Sequence, residues 1–221
     1  MCGIFGFIGS PKDNKALTEA VKGAARRGPH GYGVAYYADG ELKDYKTKAI
    51  LRQDLPMVLG IRTTHLIGNS RLSTYGSYED LRDFHPHFNT DRSIGIVHNG
   101  NVRNYEELLN EYGFQTLSDC DSEVIAHLAD VQDGDFLDRM AKAIHRVSTK
   151  SPLAVLAINQ DSVVAIRRGH PLYVADVGTG LYFSSREMPN SGELEDNVAY
   201  MFTLNGQRIH THFIQLCTEA P

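Results

Sequence analysis

Five short apolar runs follow one another between Leu153 and Leu204: LAVLAIN, SVVAIRR, LYVADV, LYFSS and VAYMFTL. Each is bounded by turn residues and is rich in β-branched and aromatic side chains, so each reads as a strand and the second half of the chain as sheet. The first half mixes two periods. Residues 2–9 (CGIFGFIG) alternate small and apolar residues like a buried strand, and Leu17, Ala20, Val21 and Ala24 recur at helical spacing up to Ala25. Gly33 to Tyr37 reads as a strand, and Asp39-Gly40 turns it into a second one over Glu41 to Lys46, a hairpin signature. The apolar run Ile94 to Val97 stops abruptly at His98-Asn99-Gly100. Asn104 then has the character of an N-cap for a helix through Glu111, with Gly113 beyond its end. Asp121 to Ala129 and Phe136 to Val147 read as two further helices. The fold class is mixed α and β. No composition break, repeat or low-complexity linker divides residues 1–221, so one domain is expected.

Composition narrows the function by exclusion. Apolar residues make up 42% of the 221 and charged residues 22%, which is ordinary for a globular chain. Lys and Arg number 22 against 27 Asp and Glu, a formal charge of −5. That balance argues against a nucleic-acid partner, which needs clustered cations to neutralise phosphates. No apolar run approaches the roughly 18 residues that span a bilayer, and the start, MCGIFGFIGS, lacks the basic region of an export signal. A cytoplasmic protein without a membrane partner is expected.

The three cysteines, Cys2, Cys120 and Cys217, are odd in number and have no CxxC spacing, which excludes a disulfide framework or a four-cysteine zinc site. Cys120 and Cys217 read as ordinary thiols. The pairs His85-Pro-His87 and His210-Thr-His212 each place two imidazoles two residues apart, but no third ligand stands at convincing spacing. They read as structural or surface histidines, and no metal is expected. Gly28-Pro-His-Gly31-Tyr-Gly33 has its glycines in the wrong order for a dinucleotide loop, and GxxxxGK[ST] is absent, so no cofactor is expected.

Cys2 is singular by position. Removal of Met1, usual before a small side chain, leaves Cys2 with a thiol and a free α-amine. Reference pKa values of about 8.5 for a thiol and about 7.7–8.0 for an α-amine make proton transfer between them nearly balanced. A nucleophile that carries its own base still needs a holder for the oxyanion formed on attack at a carbonyl. The Asn99 side-chain amide and the Gly100 N–H, at a strand end, are candidates for it.

Several segments occur in a fixed order: MCGIFGFIG, Arg27-Gly-Pro-His-Gly31, SRLSTYG (70–76), FHPHFN (84–89), IGIVHNGNVRNYEEL (94–108) and SDCDSEVIAHL (118–128). Together they resemble the class II, N-terminal nucleophile (Ntn) glutamine amidotransferases, in particular the glutaminase half of glucosamine-6-phosphate synthases. The segment at 163–188, where a Pro-Leu strand precedes a Ser-rich turn, is similar in style. The resemblance covers nearly the whole chain and implies an α+β fold, a four-layer αββα sandwich of two antiparallel sheets between helices, with L-glutamine as substrate. It implies that Cys2 is the nucleophile and that Asn99 and Gly100 form the oxyanion hole. Arg71 would pair with the α-carboxylate of glutamine, Asp121 would hold its α-ammonium, and Thr74 would supply a hydroxyl contact. Arg27 would be a structural or catalytic arginine near the N-terminus. Glu123, one helical turn from His127, reads only as an exposed helix pair.

Leu72 and Tyr75 depart from the sugar-linked subfamily, which has Trp and His at those places; the departure touches acceptor handling more than glutamine chemistry. Fused relatives continue into a synthase, whereas this sequence stops at Pro221, so a separate ammonia-accepting synthase subunit is expected as partner. Two other readings follow from the same residues. One is an N-terminal Cys hydrolase of a different amide, which has no need of the Arg71 and Asp121 charges. The other is a non-catalytic, glutamine-sensing regulatory subunit.

Overall fold

The computed structural model describes residues 2–72, 77 and 79–216. Thr74, Tyr75, Cys217 and Met1 lie outside the described residues.

Thirteen strands and five α-helices are described. In chain order they run β1 (Gly3–Gly9), α1 (Asn14–Ala25), β2 (Tyr32–Ala38), β3 (Glu41–Thr47), α2 (Leu55–Gly60), β4 (His65–Ser70), β5 (His87–Phe88), β6 (Gly95–Gly100) and α3 (Tyr105–Tyr112). There follow α4 (Glu123–Asp130), α5 (Phe136–Arg146), β7 (Leu153–Ile158), β8 (Ser162–Arg168), β9 (Tyr173–Asp176), β10 (Gly180–Ser184), β11 (Ser191–Glu193), β12 (Val198–Asn205) and β13 (Arg208–Gln215). They form a seven-stranded sheet of order β11-β9-β10-β1-β4-β2-β3 and a six-stranded sheet of order β13-β12-β8-β7-β6-β5. Every neighbouring pair of strands is antiparallel.

Strand periodicity explains the layering, because alternate side chains leave opposite faces of a sheet. In β1, Phe5 and Phe7 turn outward onto Leu17, Val21 and Ala24 of α1, while Ile4 and Ile8 turn inward onto Val97, Leu156 and Ile158 of the second sheet. On the far face of that second sheet, Ile96, Val155 and Ile166 pack against Val124, Leu128, Met140 and Ile144 of α4 and α5. The order is helix, sheet, sheet, helix: the four-layer αββα sandwich expected from the resemblance. Each large apolar side chain taken out of water contributes roughly 1.5–3 kcal/mol, so three contiguous cores hold the layers in place. No helix among the described residues is long and apolar enough to cross a membrane.

Local chemistry accounts for several element ends. Asp39 (φ 54°) and Gly40 (φ 88°) both take left-handed backbone, the two-residue turn that matches strand twist between β2 and β3. Helix α1 starts three residues before its apolar stripe, because the Asp13 side chain accepts the Lys15 and Ala16 N–H groups. Asn104 does precede α3, but its side chain is used elsewhere. Its Nδ2 donates to the Arg146 carbonyl at 2.9 Å and its Oδ1 accepts the Ser148 N–H at 3.0 Å, tying the start of α3 to the end of α5.

Candidate active site

The N-terminal end of β1 lies beside the C-terminal end of β4, with Gly3 opposite Ser70. Alternation along these strands sets the site. Cys2 shares the inward parity of Ile4, Asn69 that of Ile67, and Asn99 that of Val97, so all three belong to the seam between the sheets. Asn69 joins them: its Nδ2 donates to the His98 carbonyl at 3.4 Å, and its side chain lies close enough to the Cys2 thiol to favour the thiolate. The Leu72 N–H donates to Cys2 Sγ at 3.2 Å, and the thiol faces the Leu72 carbonyl at 3.3 Å. Burial raises the Cys2 thiol above its ordinary value, against which the Leu72 N–H, the Arg71 charge and Asn69 act. The N-terminal strand is pinned by the Ser-rich turn: the Ser185 hydroxyl accepts the Ile4 N–H, and the Ser185 N–H donates to the Ile4 carbonyl.

Asn99 and Gly100 close β6. Asn99 is 2% exposed, yet neither its Oδ1 nor its Nδ2 has a hydrogen-bond partner among the described residues. Buried polar side-chain atoms are rarely left so. Gly100 has φ 142°, and a Cβ there would lie 2.5 Å from the Pro152 carbonyl oxygen and 2.7 Å from His98 Nε2; only glycine fits. His98, of opposite parity, turns its Nδ1 to the Ser122 hydroxyl at 2.8 Å, and burial pushes its pKa down to about 3.

Arg71 follows β4 and is 3% exposed. Its backbone is clamped by the 30–31 segment, with the His30 N–H on the Arg71 carbonyl and the Arg71 N–H on the Gly31 carbonyl. Its guanidinium stacks 5.0 Å from the Phe84 ring centroid, donates to the Asp83 carbonyl and lies 4.0 Å from Cys120 Sγ. Cys120 Sγ is in turn 3.9 Å from Asp121 Oδ1, so this sulfur sits between the two charges. Asp121 Oδ2 accepts the Val102 N–H at 2.6 Å, while Oδ1 has the longer contacts, to the Ser122 hydroxyl at 3.4 Å and to that thiol. Burial raises the Asp121 carboxyl. Burial and Asp121 together push the Cys120 thiol up to about 12, a poor starting point for a nucleophile.

Arg27, half-buried after α1, donates to the Ser185 carbonyl at 3.0 Å. Burial and Arg186 lower its pKa, while its electrostatic neighbour Cys2 acts to raise it. Thus Cys2 and Asn99 share the seam with Gly100 next in the strand, Arg27 and Arg71 act electrostatically on Cys2, Asp121 is reached from Arg71 through Cys120, and Thr74 lies outside the described residues.

One expectation needs correction. Glu123 and His127 are not an exposed pair: Glu123 is 3% exposed, and its carboxylate accepts the Leu117 and Ser118 N–H groups and contacts His127 Nε2 at 3.3 Å. Burial alone would raise this carboxyl, but the bonds from His127, Ser118 and Leu117 hold it down to about 2. His85 and His87 are both buried, whereas His210 and His212 lie exposed on β13. Cys120 is buried against both His85 and His87. Sequence reasoning also missed Asn69, Ser185 and Asp83, the last of which accepts the Ser77 and Asp119 N–H groups and ties together segments that flank the seam. Asn69 was findable, as a polar residue at an inward strand position.

Comparison with known proteins identifies the family. Residues 69–189 match the glutamine amidotransferase domain family. The isomerizing glutamine–fructose-6-phosphate aminotransferase of Thermotoga maritima is 35% identical over 189 residues, which cover 82% of this chain and 31% of that protein. The chain thus spans about a third of the length of the curated relatives it matches. The glutamine phosphoribosylpyrophosphate amidotransferase of B. subtilis superposes at a TM-score of 0.74 with 21% identity, covering 96% of this chain and 49% of that one. A glutamine aminotransferase class-II domain protein from Silicibacter pomeroyi superposes at 0.63 with 17% identity, over 98% of this chain and 100% of that one. These two likenesses concern the fold; the family rests on the sequence match. The chain belongs to the glutamine amidotransferase family, as a domain of the class II, N-terminal nucleophile type.

Proposed function

We propose that this domain hydrolyses the side-chain amide of L-glutamine through a Cys2 thioester and passes the ammonia to an acceptor-bearing partner, a synthase subunit separate from these residues. The carrying observation is the Asn99 amide, buried and without a hydrogen-bond partner among the described residues, at the end of the seam that holds the Cys2 thiol. A donor kept in place without a partner fits a group whose partner is the oxyanion of the reaction.

The steps follow from the chemistry of these groups. With Met1 removed, the α-amine of Cys2 takes the thiol proton, and sulfur attacks the amide carbon. The C=O π electrons move onto oxygen, where Asn99 Nδ2 and the Gly100 N–H stabilise the charge. When the tetrahedral intermediate collapses, the C–N bond breaks and nitrogen takes the proton from the α-ammonium, leaving as ammonia. Water, activated by the same amine, then attacks the thioester; the C–S bond breaks, glutamate departs and the thiol is restored. Burial of the thiol means that ionisation needs this nearby base. Arg71 is suited to the α-carboxylate, and Asp121 Oδ1, the less satisfied oxygen, to the α-ammonium. Thr74 would add a hydroxyl contact. Arg27, beside Cys2 and bound to the Ser185 carbonyl, braces the nucleophile's strand. The partner is supported by relatives that are about three times longer than the matched region and are named for transferring the amide nitrogen to a sugar phosphate.

Glutamate release from L-glutamine, measured with Met1-processed protein, tests the reading. Cys2→Ala should abolish it at unchanged thermal stability, and Cys2 protein with Met1 retained should lose nearly all of it. Glutamate formation by either at the wild-type rate would overturn the proposal.

A further inference from the structure

The glutamine chemistry leaves one buried cluster unused. His85 precedes β5, His87 opens it, and Cys120 reaches them from the loop before α4; one ligand atom from each lies within 4.8 Å of the others. The two imidazoles meet edge to face, with centroids 4.7 Å apart. All three residues are at most 4% exposed. Both ring nitrogens of His85 and the Nε2 of His87 have no hydrogen-bond partner among the described residues. Three orphaned nitrogens around one sulfur are costly to bury unless something binds them.

We propose that His85, His87 and Cys120 form a binding site for a borderline-soft divalent cation of the zinc class. Two imidazoles and a thiolate are the donor types such a cation selects, with a fourth position left open. A tetrahedral site with bonds of about 2.0–2.3 Å holds its donors somewhat closer than 4.8 Å, so the side chains draw in on binding. His87 has the supporting arrangement that ligating histidines use: its Nδ1 faces the Ser118 hydroxyl at 3.5 Å and Glu123 Oε2 at 3.8 Å, leaving Nε2 for the metal. On binding, the Cys120 S–H bond breaks, its proton goes to buffer and a sulfur–metal bond forms. Two neutral imidazoles, one thiolate and a dication carry a net charge of +1, which the Glu123 carboxylate behind His87 balances. Arg71, 4.0 Å from the sulfur, faces a thiolate rather than a bare cation. Because Cys120 sits between Arg71 and Asp121, a bound ion changes the wall of the seam. The assignment does not depend on glutamine hydrolysis.

Cobalt titration of metal-free, full-length protein tests it. One equivalent of Co²⁺ should give tetrahedral ligand-field bands in the visible and a thiolate-to-cobalt charge-transfer band. These should be lost in Cys120→Ser, kept in Cys2→Ser, and shifted to about 10–100-fold weaker affinity in Glu123→Gln. X-ray absorption on zinc-loaded wild type, which needs no variant, should show one sulfur at about 2.3 Å and two imidazole nitrogens at about 2.0–2.1 Å. Absence of stoichiometric binding, bands that survive in Cys120→Ser, bands that vanish in Cys2→Ser, or a zinc shell without sulfur would each overturn the assignment.

Discussion

Glu123→Gln isolates the buried carboxylate that holds the loop before α4, and with it Cys120 and Asp121. Glu123 Oε1 accepts the Leu117 N–H at 2.8 Å and contacts His127 Nε2 at 3.3 Å; Oε2 accepts the Ser118 N–H at 2.9 Å and the Ser118 hydroxyl. Glutamine is nearly isosteric, but one of its two terminal atoms is a donor. Whichever way the amide is turned, its NH₂ faces a backbone N–H, of Leu117 or of Ser118. Leaving one buried donor unsatisfied costs about 1–3 kcal/mol, and the remaining bonds lose charge assistance. We expect about 2–4 kcal/mol of destabilisation at pH 7, which for a domain of this size lowers Tm by about 5–15 °C. The pH dependence carries a sign. The folded carboxyl, at about 2, lies below the ordinary value of 4.5. Its contribution is therefore complete above about 4.5 and is lost as pH falls toward 2. Urea unfolding of both proteins at pH 7 and pH 3 checks this: the gap should be wide at pH 7 and narrower at pH 3. Equal stability at pH 7, or a gap that widens in acid, would refute the account of Glu123.

Asp121→Asn should raise KM for glutamine about 10–100-fold with a much smaller change in kcat, because it weakens a contact present in the ground state; steady-state glutaminase kinetics would show it, and a loss confined to kcat would contradict the assigned role. Gly100→Ala adds a Cβ 2.5 Å from a backbone oxygen at φ 142°. It should cost about 1–3 kcal/mol from strain alone, read as a lower urea midpoint, and should lower kcat by at least tenfold by tilting the Gly100 N–H. Asn99→Ala should lower kcat about 10²–10³-fold with wild-type unfolding, since its amide has no hydrogen-bond partner among the described residues; a large destabilisation would mean that its amide is structural.

Much of the fold is legible because it is local. Asp39-Gly40 dictates its hairpin through left-handed backbone, and the alternation of CGIFGFIG already gives β1 two buried faces. What the sequence hides is what distance in the chain hides. The apolar stripe of α1 begins at Leu17, but the cap is Asp13, whose role is polar and invisible to periodicity. Asn104 has the right character for a cap, yet its amide bridges to Arg146 and Ser148, about forty residues on. Glu123 and His127 are four residues apart on a helix, a spacing that serves exposed and buried pairs alike; only the packing of the 117–118 segment over them decides it. The pair His85 and His87 lacks a third ligand within any recognisable spacing because Cys120 arrives from another element. In the proposed site, Cys2 and Asn99 are singled out by chemistry and strand ends, whereas Asn69, Ser185 and Asp83 act through contacts that only the assembled sheets create.

In the proposed reaction the Cys2 sulfur carries the glutamyl group, which acid-quenched mass spectrometry of Met1-processed protein mixed with L-glutamine would reveal. The N-terminal peptide should bear one glutamyl group as a hydroxylamine-sensitive thioester on Cys2, formed and consumed within the turnover time. Turnover of glutamine with that peptide unmodified, or with the label on Cys120, would contradict it.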